Sequence, residues 1–358
     1  MKSVLFSPFT LRGLTIDNRI MLSPLCQYSS VDGSMNDWQM THLGMFSMSG
    51  ASLVCFEMTD VEPIGRITYG CSGLYNDANE AALARVLAHC RKYGQAKYAL
   101  QIAHAGRRGS KKAPFEGSKP ISVKDGGWQT VAPSAIPEGD GSDPPHALTR
   151  EEIKSLVEKF AAATRRAARV GFDALELHGA HGYLLHQFLS PLSNQRTDEY
   201  GGSLENRMRF PLEVFAAMRA VWPADKPFGV RISCTEWMPG GWEVDDAVAF
   251  SHQLKKLGCD WIDASSGAGY KQAKIPYAPG YHVPFAERIR KEVQIATIAV
   301  GLITEFEHAE KIVAGGQADI VALGRGMMWN PRWGWHAAKA LGATLEIAPQ
   351  YLRVRPGA

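Results

Sequence analysis

Short, almost wholly apolar runs punctuate the chain, and most begin a few residues after a glycine. Gly50-Ala-Ser-Leu-Val-Cys-Phe-Glu57, Gly94 leading into Tyr98-Ala-Leu-Gln-Ile102, and Gly171-Phe-Asp-Ala-Leu-Glu-Leu-His178 share this form. So do Gly258-Cys-Asp-Trp-Ile-Asp263 and Gly316-Gln-Ala-Asp-Ile-Val-Ala-Leu323. Glycine just past a helix end accepts the left-handed conformation without a Cβ clash. A short run that is apolar at nearly every position suits a strand buried on both faces. Three further runs, at 19–22, 228–232 and 297–300, fit the same role and bring the count to eight. Helices fit between them. Thr149 with Glu152 and Thr304 with Glu307 have capping-box spacing, and Asp77 with Glu80 opens the stretch 81–90 in a similar way. Strands alternating with helices imply an α/β protein with a parallel sheet. Eight of them predict one (β/α)8 TIM barrel domain over residues 1–358. An open doubly wound sheet is the weaker alternative, because no G-x-G-x-x-G is present.

Two stretches depart from the repeat. Residues 105–148 are rich in Gly, Pro, Ser and charge, and a loop of that length is usually functional. It follows the third strand, so it is expected to cap the catalytic face. The tail 343–358, with Tyr351, Arg353 and Arg355, is expected at an oligomer interface.

Composition narrows the function. Apolar residues make up 45% of the 358, enough for a large core, and the net charge of +3 is dispersed. No basic stripe suggests a nucleic-acid partner. No apolar run has membrane-spanning length and the N-terminus lacks a signal-type segment, so the expectation is a cytoplasmic protein with no membrane partner. The six cysteines include no C-x-x-C pair, which argues against a disulfide framework and a thiolate metal site.

In such a barrel the strand C-termini build the active site. Read in order, they offer Pro24, Cys26 and Tyr28, then Thr59, then Gln101 and His104. His178, His181 and Tyr183 follow the fourth strand, Arg231 lies on the fifth, and Gly301, Gly324 and Arg325 follow the seventh and eighth. Two adjacent imidazoles can hold an oxygen on which negative charge develops, and Tyr183 can give a proton to a nearby carbanion. Structural histidines, or a zinc site that adds His186, are the alternatives. Small residues and Arg325 after the last two strands suit a phosphate, or are ordinary turn glycines.

The same residues, in order, resemble a known family. Leu5-Phe-Ser-Pro-Phe, Asn18-Arg-Ile, Ser23-Pro-Leu-Cys-Gln-Tyr28, Gln101-Ile-Ala-His-Ala-Gly-Arg107 and His178-Gly-Ala-His-Gly-Tyr183 are similar to motifs of the old yellow enzyme family. The long stretch from Gln187 to Arg207 is close to a signature of it, and Cys26 resembles the thermophilic-like branch that includes the xenobiotic reductases. The resemblance covers almost the whole chain. It implies non-covalent FMN, with NADPH or NADH as co-substrate. Ser23, Pro24, Leu25 and Thr59 would line the ring and ribityl chain, and Gln101 would meet the pyrimidine edge. Arg231 would lie near N1 and O2, Cys26 would tune the potential, and Gly301, Gly324 and Arg325 would hold the phosphate. It further implies ping-pong reduction of activated C=C bonds in enones, enals, maleimides and nitroalkenes, and of nitro compounds or nitrate esters. His178 and His181 would bind the electron-withdrawing oxygen, Tyr183 would donate the proton, and Tyr28 would shape the substrate side. A homodimer or homotetramer is implied, with Arg353 or Arg355 reaching a neighbour's site. Position 108 is Arg where some relatives have Lys.

Overall fold

The computed structural model describes residues 2–267 and 269–354. Eight parallel strands close into a ring: β1 (Ile20–Leu22), β2 (Leu53–Asp60), β3 (Lys97–Ala103), β4 (Ala174–Gly179), β5 (Phe228–Ser233), β6 (Trp261–Ser265), β7 (Ala296–Ala299) and β8 (Ile320–Leu323). Closure runs through Val321↔Ile20 and Met21↔Leu53, which pair β8 with β1 and β1 with β2. Each apolar run of the sequence is a strand, within a few residues at its ends. The helices on the outside are α1 (Asp37–Ser47), α2 (Asp77–Tyr93), α3 (Arg150–Val170), α4 (Leu204–Val221), α5 (Val244–Lys256), α6 (Val283–Val293), α7 (Phe306–Ala314) and α8 (Trp333–Ala340). None of the helices among the described residues is long and apolar enough to cross a membrane.

Strand periodicity sorts the side chains into two sets. Val54, Phe56, Leu100, Ile102, Leu175, Leu177, Val230 and Ile232 join the apolar faces of the helices in one large cluster. The alternate residues Met21, Leu53, Cys55, Ala99, Ala174, Trp261 and Ile298 form a second cluster inside the ring. Phe9, Leu11 and Leu14 of an N-terminal hairpin pack against that inner cluster and close its lower end. The inward parity then continues up the strands to Gln101, Glu176, His178, Arg231, Asp263 and Ser265.

The predicted helix starts fared differently. Thr149 caps α3 as a full capping box with Glu152, and Gly171 ends it at φ 96°. Asn76, not Asp77, caps α2 through the Asn79 amide. Thr304 does not cap α7; Glu305 holds that position without a side-chain bond. Thr304 is instead tied down by its own carbonyl, which accepts from the Trp333 indole at 2.8 Å. Gly94 departs from the left-handed pattern, with φ −94°. It is needed for space, since a Cβ there would lie 2.4 Å from Ser47.

The loop after β3 carries more order than its composition suggests. It holds single turns at Gly106–Arg108, Pro114–Glu116 and Val123–Asp125, and a short pairing of Val131–Ala132 with His146–Ala147. Trp128 donates to the Ile64 carbonyl at 3.0 Å, and Glu138 bridges Arg108 and Lys111.

Candidate active site

A cavity of about 490 Å³ opens at the C-terminal ends of the strands. Ser23, Pro24, Leu25 and Cys26 enter it from β1, Gln101 from β3, His178, His181 and Tyr183 from β4, and Arg231 from β5. Gly301, Gly324 and Arg325 line it from β7 and β8. The strand-end reading therefore converges on one space.

Thr59, His104 and Tyr28 are the exceptions, and His104 instead meets Glu62, Nε2 to Oε1 3.0 Å. The register of β2 against β3 slips between Phe56 and Thr59, a bulge that adds one residue. Thr59 takes the outward slot opposite Ile102 and donates to the Glu57 carbonyl at 2.9 Å, while Met58 lines the cavity in its place. Tyr28, at φ 53°, packs like Cys26 and Tyr183 against the cluster of Met58, Ile67, Cys71 and Ala103, and is not among the cavity's lining residues. Arg353 sits on the exposed turn Pro349–Val354 and does not line the cavity of its own chain. Arg355 lies outside the described residues.

Backbone contact fixes the proton of the first imidazole of the pair. The Ala180 amide donates to His178 Nδ1 at 3.2 Å, so the ring proton of neutral His178 is on Nε2. His178 Nε2 lies 3.3 Å from His181 Nδ1, and His181 Nε2 lies 2.7 Å from Ser265 Oγ. Burial, then the Arg231 charge, holds both rings well below the usual histidine range, so both are neutral. The Ser265 hydroxyl can accept or donate, which leaves both His181 tautomers available. His181 has φ 59°, a left-handed geometry costing about 1–3 kcal/mol in a non-glycine residue. Its amide is fixed by Ser233 Oγ at 2.9 Å and its carbonyl by Arg108.

Tyr183 stands edge-on to His178, ring centroids 5.0 Å apart, with the Arg108 guanidinium 5.2 Å above its ring. Burial raises its phenol well above the ordinary value, and Arg108 opposes that rise. The Cys26 thiol is also raised, by burial first and then by Cys71 and the Glu57 and Asp60 carboxyls, so it is a neutral thiol.

Ser265, Met58, Tyr281 and His282 also line the cavity, beyond the residues expected from the strand ends. Ser265 carried a usable signal, being the C-terminal end of the sixth strand. The aromatic pair had none, because the segment after β6 has no periodicity. Among the described residues, no group of three His, Cys, Asp or Glu side chains is placed to hold a metal ion. His186 does not line the cavity, and its Nδ1 accepts from the Gly182 amide at 2.8 Å.

These residues suit a flavin mononucleotide. Gln101 spends its amide nitrogen on Glu176 at 2.8 Å, leaving its carbonyl oxygen to the cavity. Arg231 gives Nη1 to Ser23 at 3.0 Å, while its Nε has no aligned partner. At the far end, a Cβ on Gly301 would approach His282 Nδ1 to 3.0 Å, so the backbone itself forms the wall beside Arg325. A closed barrel with this floor is a flavin-dependent oxidoreductase. The NADH:flavin oxidoreductase / NADH oxidase family model matches residues 4–343, and the chain belongs to that family. It is 44% identical over 355 residues to an NADPH dehydrogenase of Geobacillus sp. (strain WCH70), covering 99% of each chain. An NADPH dehydrogenase of Listeria innocua is 42% identical, covering 98% of this chain and 99% of its own. Among solved structures, morphinone reductase superposes with a TM-score of 0.78 at 29% identity, over 98% of this chain and 93% of that one. The old yellow enzyme homologue from Zymomonas mobilis gives 0.77 at 25%, over 96% and 94%. The enzyme is an oxidoreductase of the NADPH dehydrogenase kind, with FMN as cofactor and NADPH as substrate.

Proposed function

We propose that this NADPH-dependent flavoenzyme reduces C=C bonds polarised by a carbonyl or nitro group, namely enones, enals, maleimides and nitroalkenes, with nitro compounds and nitrate esters as further substrates. One observation carries the reading: two neutral imidazoles and a protonated phenol share one cavity wall, with His178 and Tyr183 ring centroids 5.0 Å apart. FMN, when bound, supplies the carrier that takes two electrons from NADPH and passes them to the alkene. The chain supplies the rest. His178 presents Nε2–H to the substrate oxygen. His181 joins it as a second donor in the Nδ1–H tautomer, with Nε2 then accepting from Ser265. Two donors aimed at an oxygen that gains charge stabilise that charge in a dry site. Tyr183 gives its phenolic proton to the α-carbon, and Arg108 above the ring stabilises the phenolate left behind.

Gln101 and Arg231 hold the pyrimidine edge of the flavin ring, with Ser23, Pro24, Leu25 and Cys26 along it. Gly301, Gly324 and Arg325 hold the phosphate. Tyr28 supports the substrate side through Tyr183. Arg353 of a second copy completes the mouth. What supports this is an exposed apolar face on the same turn, Leu352 and Val354, together with Trp329 at 92% exposure. Bleaching of the yellow protein by NADPH, followed by recovery with cyclohexenone, tests the reading. A protein that bleaches but recovers only with oxygen overturns it.

A further inference from the structure

Beneath the cavity floor lies a buried acid that the reaction above does not use. Glu176 on β4 is 0% exposed and does not line the cavity. Its Oε1 accepts from Gln101 Nε2 at 2.8 Å, and its Oε2 faces Trp261 Nε1 at 3.3 Å. We propose that Glu176 is a positioning residue whose protonation decides which end of the Gln101 carboxamide faces the flavin. The proposal rests on the placement of Gln101 at the pyrimidine edge given above.

An indole N–H can only donate, so a carboxyl proton on Oε2 would find no acceptor in its partner there. The indole itself cannot move aside easily. It occupies the space beside Gly229, where a Cβ would lie 2.1 Å from the ring. A proton on Glu176 therefore sits on Oε1 and must donate to Gln101. Only the amide oxygen can accept it, so the carboxamide turns over and its NH2 faces the cavity. With Glu176 ionised, the NH2 turns down and the oxygen faces the cavity.

Both states lie within reach near neutral pH. Burial, then the Asp263 charge, pushes Glu176 up to about 8, against Arg231 and the bonds from Gln101 and Trp261. The other groups around it are Cys55 of β2, Arg231 of β5 and Asp263 of β6. The Cys55 thiol is held neutral by burial and by these same acids. Asp263 is likewise raised by burial, and its oxygens have no hydrogen bond. Its cationic neighbour is Arg231, with Nε 3.4 Å away. One guanidinium thus serves two carboxyl groups in a dry interior.

Reduction should move the switch. A flavin held at Gln101 and Arg231 would, on accepting two electrons and one proton from NADPH, add one negative charge to that edge of the site. The NH2 end of Gln101 stabilises that charge and the oxygen end does not. Glu176 then takes one further proton from solvent, so charge and protons balance.

The test is the reduction potential of the FMN holoenzyme between pH 7 and 10. With one proton per two electrons, the reduction equilibrium moves tenfold per pH unit. With Glu176 taking a second, it approaches a hundredfold per unit above about pH 8. Glu176→Gln mimics the protonated state, because its carbonyl must serve Trp261 and its NH2 must face Gln101. The variant should stay at tenfold throughout and be easier to reduce than wild type at pH 10. A wild-type slope that stays tenfold overturns the proposal, as does steepening that survives in the variant. Should the variant not fold, infrared difference spectra of the wild type at pH 9 must show a protonated carboxyl band appearing on reduction; its absence also overturns the switch. Gln101→Leu separates the two ideas. Unchanged FMN affinity of that apoprotein sinks the placement of Gln101. Weakened affinity together with an unsteepened wild-type slope sinks the switch alone.

Discussion

Tyr183→Phe isolates the proton step. The ring keeps its edge-on contact with His178 at 5.0 Å and its place under Arg108 at 5.2 Å. Those contacts are each worth about 0.5–2 kcal/mol, so the fold and the imidazole geometry survive the loss of one hydroxyl. What goes is a general acid, typically worth roughly 10²–10⁴-fold, which is about 2.7–5.4 kcal/mol of barrier. The loss should fall on one half of the cycle. In stopped-flow, bleaching by NADPH should stay within about twofold of wild type, because that step takes no proton from residue 183. Recovery with cyclohexenone should slow by the full factor. The raised phenol is protonated throughout pH 6–9, so wild-type recovery should show no pH limb from Tyr183 in that range. Equal slowing of both halves, or unchanged recovery, refutes the assignment.

Three other outcomes follow from particular contacts. Gly301→Val, at φ 117° and with its Cβ 3.0 Å from His282, should reduce FMN affinity by at least tenfold, about 1.4 kcal/mol, with an unchanged far-ultraviolet circular dichroism spectrum. Full FMN content would contradict a backbone-lined wall. Burial opposes ionisation of Glu62, but His104 at 3.0 Å and Lys159 at 2.5 Å outweigh it and hold the carboxyl down to about 2. This depressed carboxyl adds stability above its ordinary value of 4.5 that is lost as pH falls towards 2, on the order of 2–3 kcal/mol. Glu62→Gln should lower stability at pH 7 and flatten its decline below pH 4.5; an unaltered acid limb would rule this out. Thr149→Ala removes the capping box of α3 and should cost about 1 kcal/mol in urea unfolding, with no change in FMN binding.

The amino-acid order alone determined the barrel, because doubly buried parallel strands must be apolar at nearly every position, and the glycines and caps between them mark each change of element. It also determined most of the mouth. Gln101, His178, Arg231 and the glycines after β7 and β8 are at or near strand ends, and strand ends in a closed ring converge whatever the loops do. Tertiary structure decided the rest. Which of Met58 and Thr59 faces the cavity depends on a bulge whose extra residue leaves no mark in composition or periodicity. The tautomers of His178 and His181 depend on Ser265, 84 residues from His181, and on the backbone amide of Ala180. Glu176 reads locally as one more strand residue. Its character comes from Trp261, Gln101 and Asp263, which only ring closure sets around it, in an interior too dry to ionise every acid it holds.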